Sequence, residues 1–248
     1  MPRLLLWLLC FLFFSLRADA QLNQIDTLKI RLVSSFADNS EAVLNFPKFI
    51  LKKKSMENKV NMELKEQITG REFEGKAIDQ SYRDWAQYFS SIGFEVYLNQ
   101  NQWVSLEVYG EFCGAYCSSF NQYHTVNLAN GKFYTIEELV DTTGFLRELI
   151  YSRLDSTYQA SVAEVRSRYK LDTLQTDSSY LPIIMEELEN CRNDFKIQAY
   201  SLTPTHFIIR KNCEFPHFMH NEGPFWELRF SWQEIKSYLK PQLTLCNP

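Results

Sequence analysis

The chain has 248 residues, of which 45% are hydrophobic, and a formal net charge of −4. This hydrophobic fraction is enough for a packed core, and the length fits one large domain or two small ones. The mild negative charge argues against nucleic acid and anionic membrane surfaces as partners, because both attract concentrated basic charge.

The N-terminus has the pattern of a cleaved signal peptide. Arg3 precedes an apolar run over residues 4–14, and the Ala-Asp-Ala sequence at 18–20 has small residues where a signal peptidase reads them. The run is shorter than the roughly 20 apolar residues that cross a bilayer, which favours a signal peptide over an anchor. We therefore expect residues 1–20 to be removed and residues 21–248 to be exported to the periplasm or the cell exterior, without membrane insertion.

The first half of the exported region predicts two strands, a helix and a hairpin. Apolar residues alternate over Leu28–Leu32, and a second apolar stretch covers Phe46–Leu51. Ser55 is expected to cap the helix that follows. Alternation then resumes over Phe94–Leu98 and Val104–Val108, which predicts a hairpin with a four-residue polar turn.

The middle of the chain predicts another strand, a turn and a long helix. A strand over Gln122–Leu128 is followed by an Asn-Gly turn at residues 130–131. Thr135 and Glu138 have the spacing of a capping box, which opens a short helix. From Phe145 to Tyr169 the apolar residues recur at helical spacing, so we predict a long amphipathic helix with one buried stripe.

The C-terminal third alternates between helical and extended patterns. We predict a helix over Pro182–Leu188, a hairpin from Phe195 to Arg210, a strand over Trp226–Phe230 and a helix over Trp232–Leu239. The whole series predicts an α+β fold, in which an antiparallel sheet packs with one long and several short helices. We expect a single domain with two sub-blocks, at roughly 21–100 and 101–241.

Five cysteines follow the signal peptide, and an exported protein meets an environment where disulfides persist. From their spacing we predict a Cys113–Cys117 bridge that closes a loop, which requires residues 112–118 not to be extended. We also predict a Cys191–Cys213 bridge, because both residues would lie at the open end of one hairpin. The fifth cysteine is then unpaired, although five cysteines allow other pairings.

Residues 103–140 resemble a known family. An alternating strand, a glycine-containing loop, a strand ending in Tyr-His-Thr-Val-Asn-Leu, an Asn-Gly-Lys turn and a capped Thr-Ile-Glu-Glu-Leu follow one another. This series resembles the exported domain of the lysozyme-sensing anti-sigma factor RsiV, which also precedes the catalytic domain of the peptidoglycan deacetylase PdaC. The blocks before and after it are similar to the start and end of that domain.

The resemblance implies an exported module that senses or binds. The loop with Cys113 and Cys117 departs from the glycine-rich segment typical of the family. We expect neither the cytoplasmic segment of an anti-sigma factor nor a deacetylase domain in this protein. Anti-sigma regulation and deacetylation are therefore not carried over, and no binding residue of the family is transferred to this chain.

We therefore expect a binding or sensing module of the bacterial cell envelope, without a cofactor or a catalytic activity. Its expected partner is an envelope protein, an envelope glycan or a lysozyme-like protein. The candidate binding surface is a cluster of aromatic residues, since such residues give a large contact area at low entropic cost. Its members are Tyr109, Phe112, Tyr116, Phe120 and Tyr123. The alternative interpretation is that most of these rings cover the sheet.

The competing function is a hydrolase or metal-dependent enzyme with an unrecognised site. Cys213, His217 and His220 are spaced like zinc ligands, but structural zinc usually takes four ligands, so we prefer a packed loop. A deep polar pocket that joins His124, His206 or His217 to a carboxylate would favour the enzyme. A shallow aromatic surface without such a pocket would favour binding.

Two further patterns have a catalytic and a structural interpretation. Cys113 and His124 are of the residue types that form a nucleophile and base pair, but a disulfide is the preferred role of the cysteine. The adjacent glutamates at 137–138 and at 186–187 lie on predicted helices, and we interpret them as surface charge.

Overall fold

The computed structural model describes residues 24–33, 41–113, 117–171, 180–194, 196–197, 199–213, 215–216 and 223–243. The predicted signal peptide, Tyr116, His217, His220 and Cys246 lie outside these ranges. The strands are β1 (Gln24–Val33), β2 (Glu41–Ile50), β3 (Phe89–Gln100), β4 (Trp103–Cys113), β5 (Cys117–Asn127), β6 (Lys132–Phe133), β7 (Ala199–Leu202), β8 (His206–Asn212) and β9 (Phe225–Ser231). The helices are α1 (Lys54–Thr69), α2 (Ile78–Trp85), α3 (Ile136–Leu139), α4 (Gly144–Leu171), α5 (Leu181–Asn193) and α6 (Trp232–Ile235).

The strands form three antiparallel sheets, which confirms the predicted α+β class. β1 pairs with β2, the order β3-β4-β5-β6 makes a central sheet, and β7-β8-β9 make a third sheet. No helix in the described ranges is both long and apolar enough to cross a membrane.

The central sheet contributes to two hydrophobic cores. On one face Val104, Leu106 and Val108 of β4 are buried with side chains from α1, β1 and β2. A second core surrounds α4, α5 and the β7-β8-β9 sheet, and it includes Trp103 of β4. Beyond Trp103 the residues of β4 that alternate onto this second face are polar, beginning with Ser105. The central sheet therefore meets the third sheet across a polar layer.

The turn between β3 and β4 differs from the predicted one. Asn101 and Gln102 alone connect the strands, and both have positive φ, 50° and 68°. Two central residues with positive φ match the right-handed twist of a tight hairpin, so the strands pair up to Gln100 and Trp103. The predicted four-residue turn was wrong because Asn99 and Gln100, although polar, belong to β3.

Helix α4 confirms the predicted long helix and exceeds it by one or two residues at each end. Its buried stripe includes Leu146, Ile150 and Leu154, with exposed fractions of 3%, 1% and 3%. These side chains pack into the second core against α5 and the third sheet. The periodicity of the sequence therefore identified the face of α4 that the fold buries.

Two of the three predicted helix caps are confirmed. The predicted capping boxes at Thr135 and Ser231 are present at the starts of α3 and α6. Ser55, the predicted cap of α1, lies inside its first turn instead, because the helix begins at Lys54. The Glu57 carboxylate accepts a hydrogen bond from the Leu51 amide at 3.1 Å at this end. The last predicted helix is α6 followed by a short 3-10 turn.

A candidate binding cleft beside strand β5

A cleft of about 400 Å³ opens beside β5 at the point where β6 ends. β6 pairs with β5 only at Val126 and Asn127, so within the described residues the preceding part of β5 has a strand neighbour on one side only. The residues that line this cleft, the β5 cleft, are Gln67, Tyr123, His124, Thr125, Phe133, Tyr134, Thr135, Ile136, Glu137, Ile197, Ala199 and Tyr200. Its wall therefore combines aromatic rings, aliphatic side chains and several polar groups.

Hydrogen bonds between its elements hold the cleft open in one shape. The Tyr134 amide donates to the Thr125 carbonyl at 2.9 Å, which fixes the chain after β6 to the edge of β5. The Tyr200 hydroxyl of β7 donates to the Tyr134 carbonyl at 2.5 Å. Burial raises the pKa of Tyr200, so its hydroxyl keeps the proton that it donates. The cleft is thus a preformed feature of the fold, as ligand sites usually are.

His124 is the most informative polar residue of the cleft. Its side chain is 6% exposed, and its Nδ1 atom lies 3.0 Å from Oε1 of Gln67. The Phe133 ring meets the imidazole edge-on, with 6.3 Å between ring centroids. Burial lowers the pKa of His124 to about 4, so the imidazole is neutral near pH 7. Its Nε2 atom is buried without a hydrogen-bond partner.

A buried polar cluster supports the cleft behind Tyr123. The Tyr123 hydroxyl donates to Oε1 of Glu107 at 2.9 Å, and the Tyr97 hydroxyl and the Asn121 amide also donate to this carboxylate. We call these four residues the Glu107 cluster. Burial, together with the nearby carboxylate, raises the pKa of both tyrosines, so their hydroxyls act as donors.

Arg210 of β8 joins the Glu107 cluster to the third sheet. Its guanidinium lies between two rings, 4.5 Å from the Tyr97 centroid and 4.8 Å from the Tyr123 centroid. Its Nη2 atom lies 3.0 Å from Oε1 of Glu227 on β9. The Arg210 residue is 3% exposed. The orientation of Tyr123 in the cleft wall is therefore set from both sheets.

The structure divides the predicted aromatic surface between the two faces of the central sheet. Phe112 and Phe120 contact Phe89, with ring centroids 5.6 Å and 5.2 Å apart, on the face covered by α1 and α2. Tyr123 lies on the other face, beside Arg210, and lines the β5 cleft. A shared binding role for these residues stays a prediction.

Tyr109 lies apart from the cleft lining. Its ring is packed against Gly93, where an added Cβ atom would lie 2.8 Å from it. Tyr109 and Phe112 are 44% and 39% exposed. Among the described members of the predicted surface, Tyr123 is the residue that meets the β5 cleft.

The cysteines confirm one predicted bridge and correct one predicted conformation. Cys191 and Cys213 form the predicted disulfide, with Cα atoms 5.3 Å apart. Cys117 is disulfide-bonded, and Cys113 lies directly opposite it in the register of β4 and β5. Residues 112–118 were predicted not to be extended, which was wrong at both ends. Opposed residues of an antiparallel pair are already about 4.5–5.5 Å apart, so a bridge needs no irregular segment there.

The residues with a possible catalytic role are the candidate metal ligands and the two pairs of adjacent glutamates. In the described ranges, no group of three or more His, Cys, Asp and Glu side chains could hold a metal ion. Glu137 lines the β5 cleft, while Glu138 belongs to the capping box of α3 and pairs with Lys132. Near Glu186, Glu187 of α5 accepts a hydrogen bond from Asn190 at 3.4 Å.

Three groups of this site were not predicted. Glu107 alternates with apolar residues in β4, so the sequence indicated an exposed face. Arg210 follows a run of apolar residues in β8, and a charge at that position is the one signal that pointed to a buried role. The contact of His124 with Gln67 joins residues 57 positions apart, which no local pattern reports.

Comparisons with known proteins give the fold. No family model and no curated protein matches the sequence. A crystal structure of a DUF3298 family member from Bacteroides fragilis matches with a TM-score of 0.59 and 11% identity, covering 91% of this chain and 97% of that chain. A DUF3298 family protein from Pseudomonas aeruginosa matches with a TM-score of 0.53 and 10% identity, covering 90% and 97%. The chain therefore shares the fold of solved DUF3298 proteins.

Proposed function

We propose that this chain is an exported binding or sensing module of a bacterial cell envelope, and that its β5 cleft binds envelope glycan. The observation that carries the proposal is a preformed cleft of about 400 Å³ whose wall combines four aromatic rings with polar side chains. A cleft of this volume is typical of small-molecule sites. The RsiV and PdaC resemblance and the Cys191–Cys213 disulfide support the export of the chain.

A sugar ring fits the chemistry of this wall. It has an apolar face of C–H groups, which packs on aromatic rings, and an edge of polar groups, which needs hydrogen-bond partners. The rings are those of Tyr123, Phe133, Tyr134 and Tyr200, and the exposed Glu137 offers a hydrogen-bond partner. A protein loop would bury more surface than this cleft presents, so we favour glycan over a lysozyme-like protein.

The competing enzyme has one specific observation in its favour. His124 and Glu137 line the same cleft, which is the arrangement of a histidine and a carboxylate expected of a hydrolase. However, His124 contacts the Gln67 amide, and burial lowers its pKa to about 4. A general base works best with a pKa near the working pH, so His124 would be a weak one. These contacts favour binding over catalysis.

Filling the cleft tests the proposal without removing a contact. Ala199 lines the cleft from β7, so Ala199→Phe should occupy it, and Val43→Phe places the same residue on an exposed position of β2. Purified protein is sedimented with insoluble peptidoglycan sacculi. We expect the wild type and Val43→Phe to co-sediment and Ala199→Phe to stay in the supernatant.

Two results of this experiment would contradict the proposal. Equal co-sedimentation of Ala199→Phe would place any glycan site elsewhere. A wild-type protein that ignores sacculi but binds hen lysozyme in a parallel titration would identify a lysozyme-like protein as the partner.

A further inference from the structure

The backbone of β5 has one side that turns away from β4. The Thr125 carbonyl points to that side, because it accepts a hydrogen bond from the Tyr134 amide at 2.9 Å. The hydrogen-bonding groups of alternate residues in an antiparallel strand lie on the same side. The N–H and C=O groups of Ser119, Asn121 and Tyr123 therefore also point away from β4. We call this stretch of outward backbone, from Ser119 to Tyr123, the β5 edge.

The β5 edge is accessible in the folded protein. No strand in the described part of the chain pairs with it, since β6 pairs with β5 at Val126 and Asn127. Ser119 and Asn121 are exposed, and Tyr123 is half-buried where the edge enters the β5 cleft. The edge thus presents alternating donors and acceptors to the surroundings over five residues.

The sequence of β5 lacks the features that usually protect an exposed strand. Natural proteins keep such edges from pairing with charged side chains, prolines or β-bulges. Residues 117–125 contain no Asp, Glu, Lys, Arg or Pro, and their register with β4 continues without a shift. A straight and uncharged edge of this kind favours pairing with another strand.

We propose that the β5 edge binds an extended segment of a partner protein, which adds a strand to the central sheet antiparallel to β5. Donors and acceptors that repeat every two residues match a second main chain, and this repeat favours a peptide over a ligand with isolated hydroxyls. The partner is additional to the glycan of the proposed function, and its site adjoins the β5 cleft.

The charges around the β5 edge define the chemistry of this segment. Glu111 lies opposite Ser119 in the register of β4 and β5, and Glu137 lines the cleft beyond Tyr123. Both glutamates are exposed. No lysine or arginine belongs to β5 or to the described lining of the cleft. We therefore expect the bound segment to have an uncharged, β-forming centre and a basic residue at each end.

Backbone methylation of a peptide tests this mode of binding. The probe is a fluorescein-labelled peptide, Lys-Thr-Val-Thr-Val-Thr-Lys, and its affinity is measured by fluorescence polarisation. Two N-methyl groups on residues two apart leave one edge of the peptide able to pair, whereas two on adjacent residues interrupt both edges. We expect the first isomer to bind like the unmodified peptide and the second about tenfold more weakly. Replacing both lysines of the probe by glutamates should also weaken binding.

A variant at Ser119 tests the β5 edge from the side of the protein. Ser119→Pro removes an outward N–H but no hydrogen bond to β4, and Ser119→Ala, the matched control, keeps that N–H. The alanine variant should bind the peptide like the wild type, and the proline variant about tenfold more weakly. Ser119 is not among the residues that line the cleft, so both variants should co-sediment with sacculi as the wild type does. The peptide and glycan proposals can therefore fail separately.

Amide hydrogen exchange of the wild type covers the case in which the proline variant fails to fold. Saturating peptide should slow exchange at Asn121 and Tyr123 and leave Gln122, whose amide points to β4, unchanged. No binding of the peptide, equal affinities of the two methylated isomers, or exchange without this alternation would overturn the inference. A wild-type dimer in analytical ultracentrifugation that Ser119→Pro dissociates would assign the β5 edge to a second copy and overturn the proposed partner.

Discussion

Lowering the pH from 7.5 to 5 should destabilise the fold through His124. The pKa of this residue is about 4 in the folded chain, against 6.5 for an unperturbed histidine. Below pH 6.5 the His124 imidazole is therefore protonated in the unfolded chain. In the folded chain it stays neutral until the pH falls to about 4. Stability from this group is fully present above pH 6.5 and is lost as the pH falls through the window between these values.

The pKa difference sets the size of the effect. A shift from 6.5 to about 4 corresponds to about 3 kcal/mol in full, of which about 2 kcal/mol is lost by pH 5. Several carboxyls, including those of Glu138 and Glu234, have a lowered pKa because of their hydrogen bonds. Their stability is present above the unfolded value of 4.5 and is lost below it. The interval from pH 6.5 to 5 therefore lies above the range in which these carboxyls lose their contribution to stability.

Urea denaturation of the wild type and His124→Asn at pH 7.5 and pH 5 measures this linkage. The free energy of unfolding of the wild type should fall by about 2 kcal/mol more than that of the variant. His206→Asn, a change at a partly exposed histidine of β8, is the matched control and should behave as the wild type. Equal losses of stability by the wild type and His124→Asn between the two pH values would refute this linkage.

Two further predictions concern the second core, and a third concerns the pairing of the cysteines. Leu154→Ala should lower the free energy of unfolding by about 2–5 kcal/mol, because Leu154 is 3% exposed in α4; an effect below about 1 kcal/mol in urea denaturation would contradict its burial. Cys191→Ser should cost about 3 kcal/mol, since the bridge closes a loop of 22 residues, and reducing agent should then lower the stability of the wild type but leave the variant less affected. Non-reducing peptide mapping should find Cys191 joined to Cys213, and Cys117 joined to Cys113.

The fold was predictable where its causes are local. The apolar periodicity that predicts α4 is contained in the helix itself. The capping boxes at Thr135 and Ser231 lie directly at the starts of the helices that they predict. The turn at Asn101 and Gln102 was misjudged because neither residue is glycine, the usual indicator of positive φ. Local signals thus gave the order of the longer elements, while the short strand β6 was not predicted.

The candidate site could not be predicted in the same way. Its contacts join α1 to β5 and β4 to β8, and the sequence does not say which strand face is covered. Glu107 had the pattern of a solvated residue in an alternating strand, and the third sheet buries it. Tyr123 was selected for its aromatic character, while the neighbours that give it a role, Glu107 and Arg210, were not.

Tyr123 belongs to the cleft wall and to the junction between two sheets at once. Replacing it would alter the ligand surface, release a donor from Glu107 and uncover one side of Arg210, so its freedom to vary is small. Ile197 and Ala199 line the same cleft but are not members of the Glu107 cluster. Proteins with this fold that differ in ligand preference should therefore differ at the aliphatic positions of the cleft and retain Tyr123.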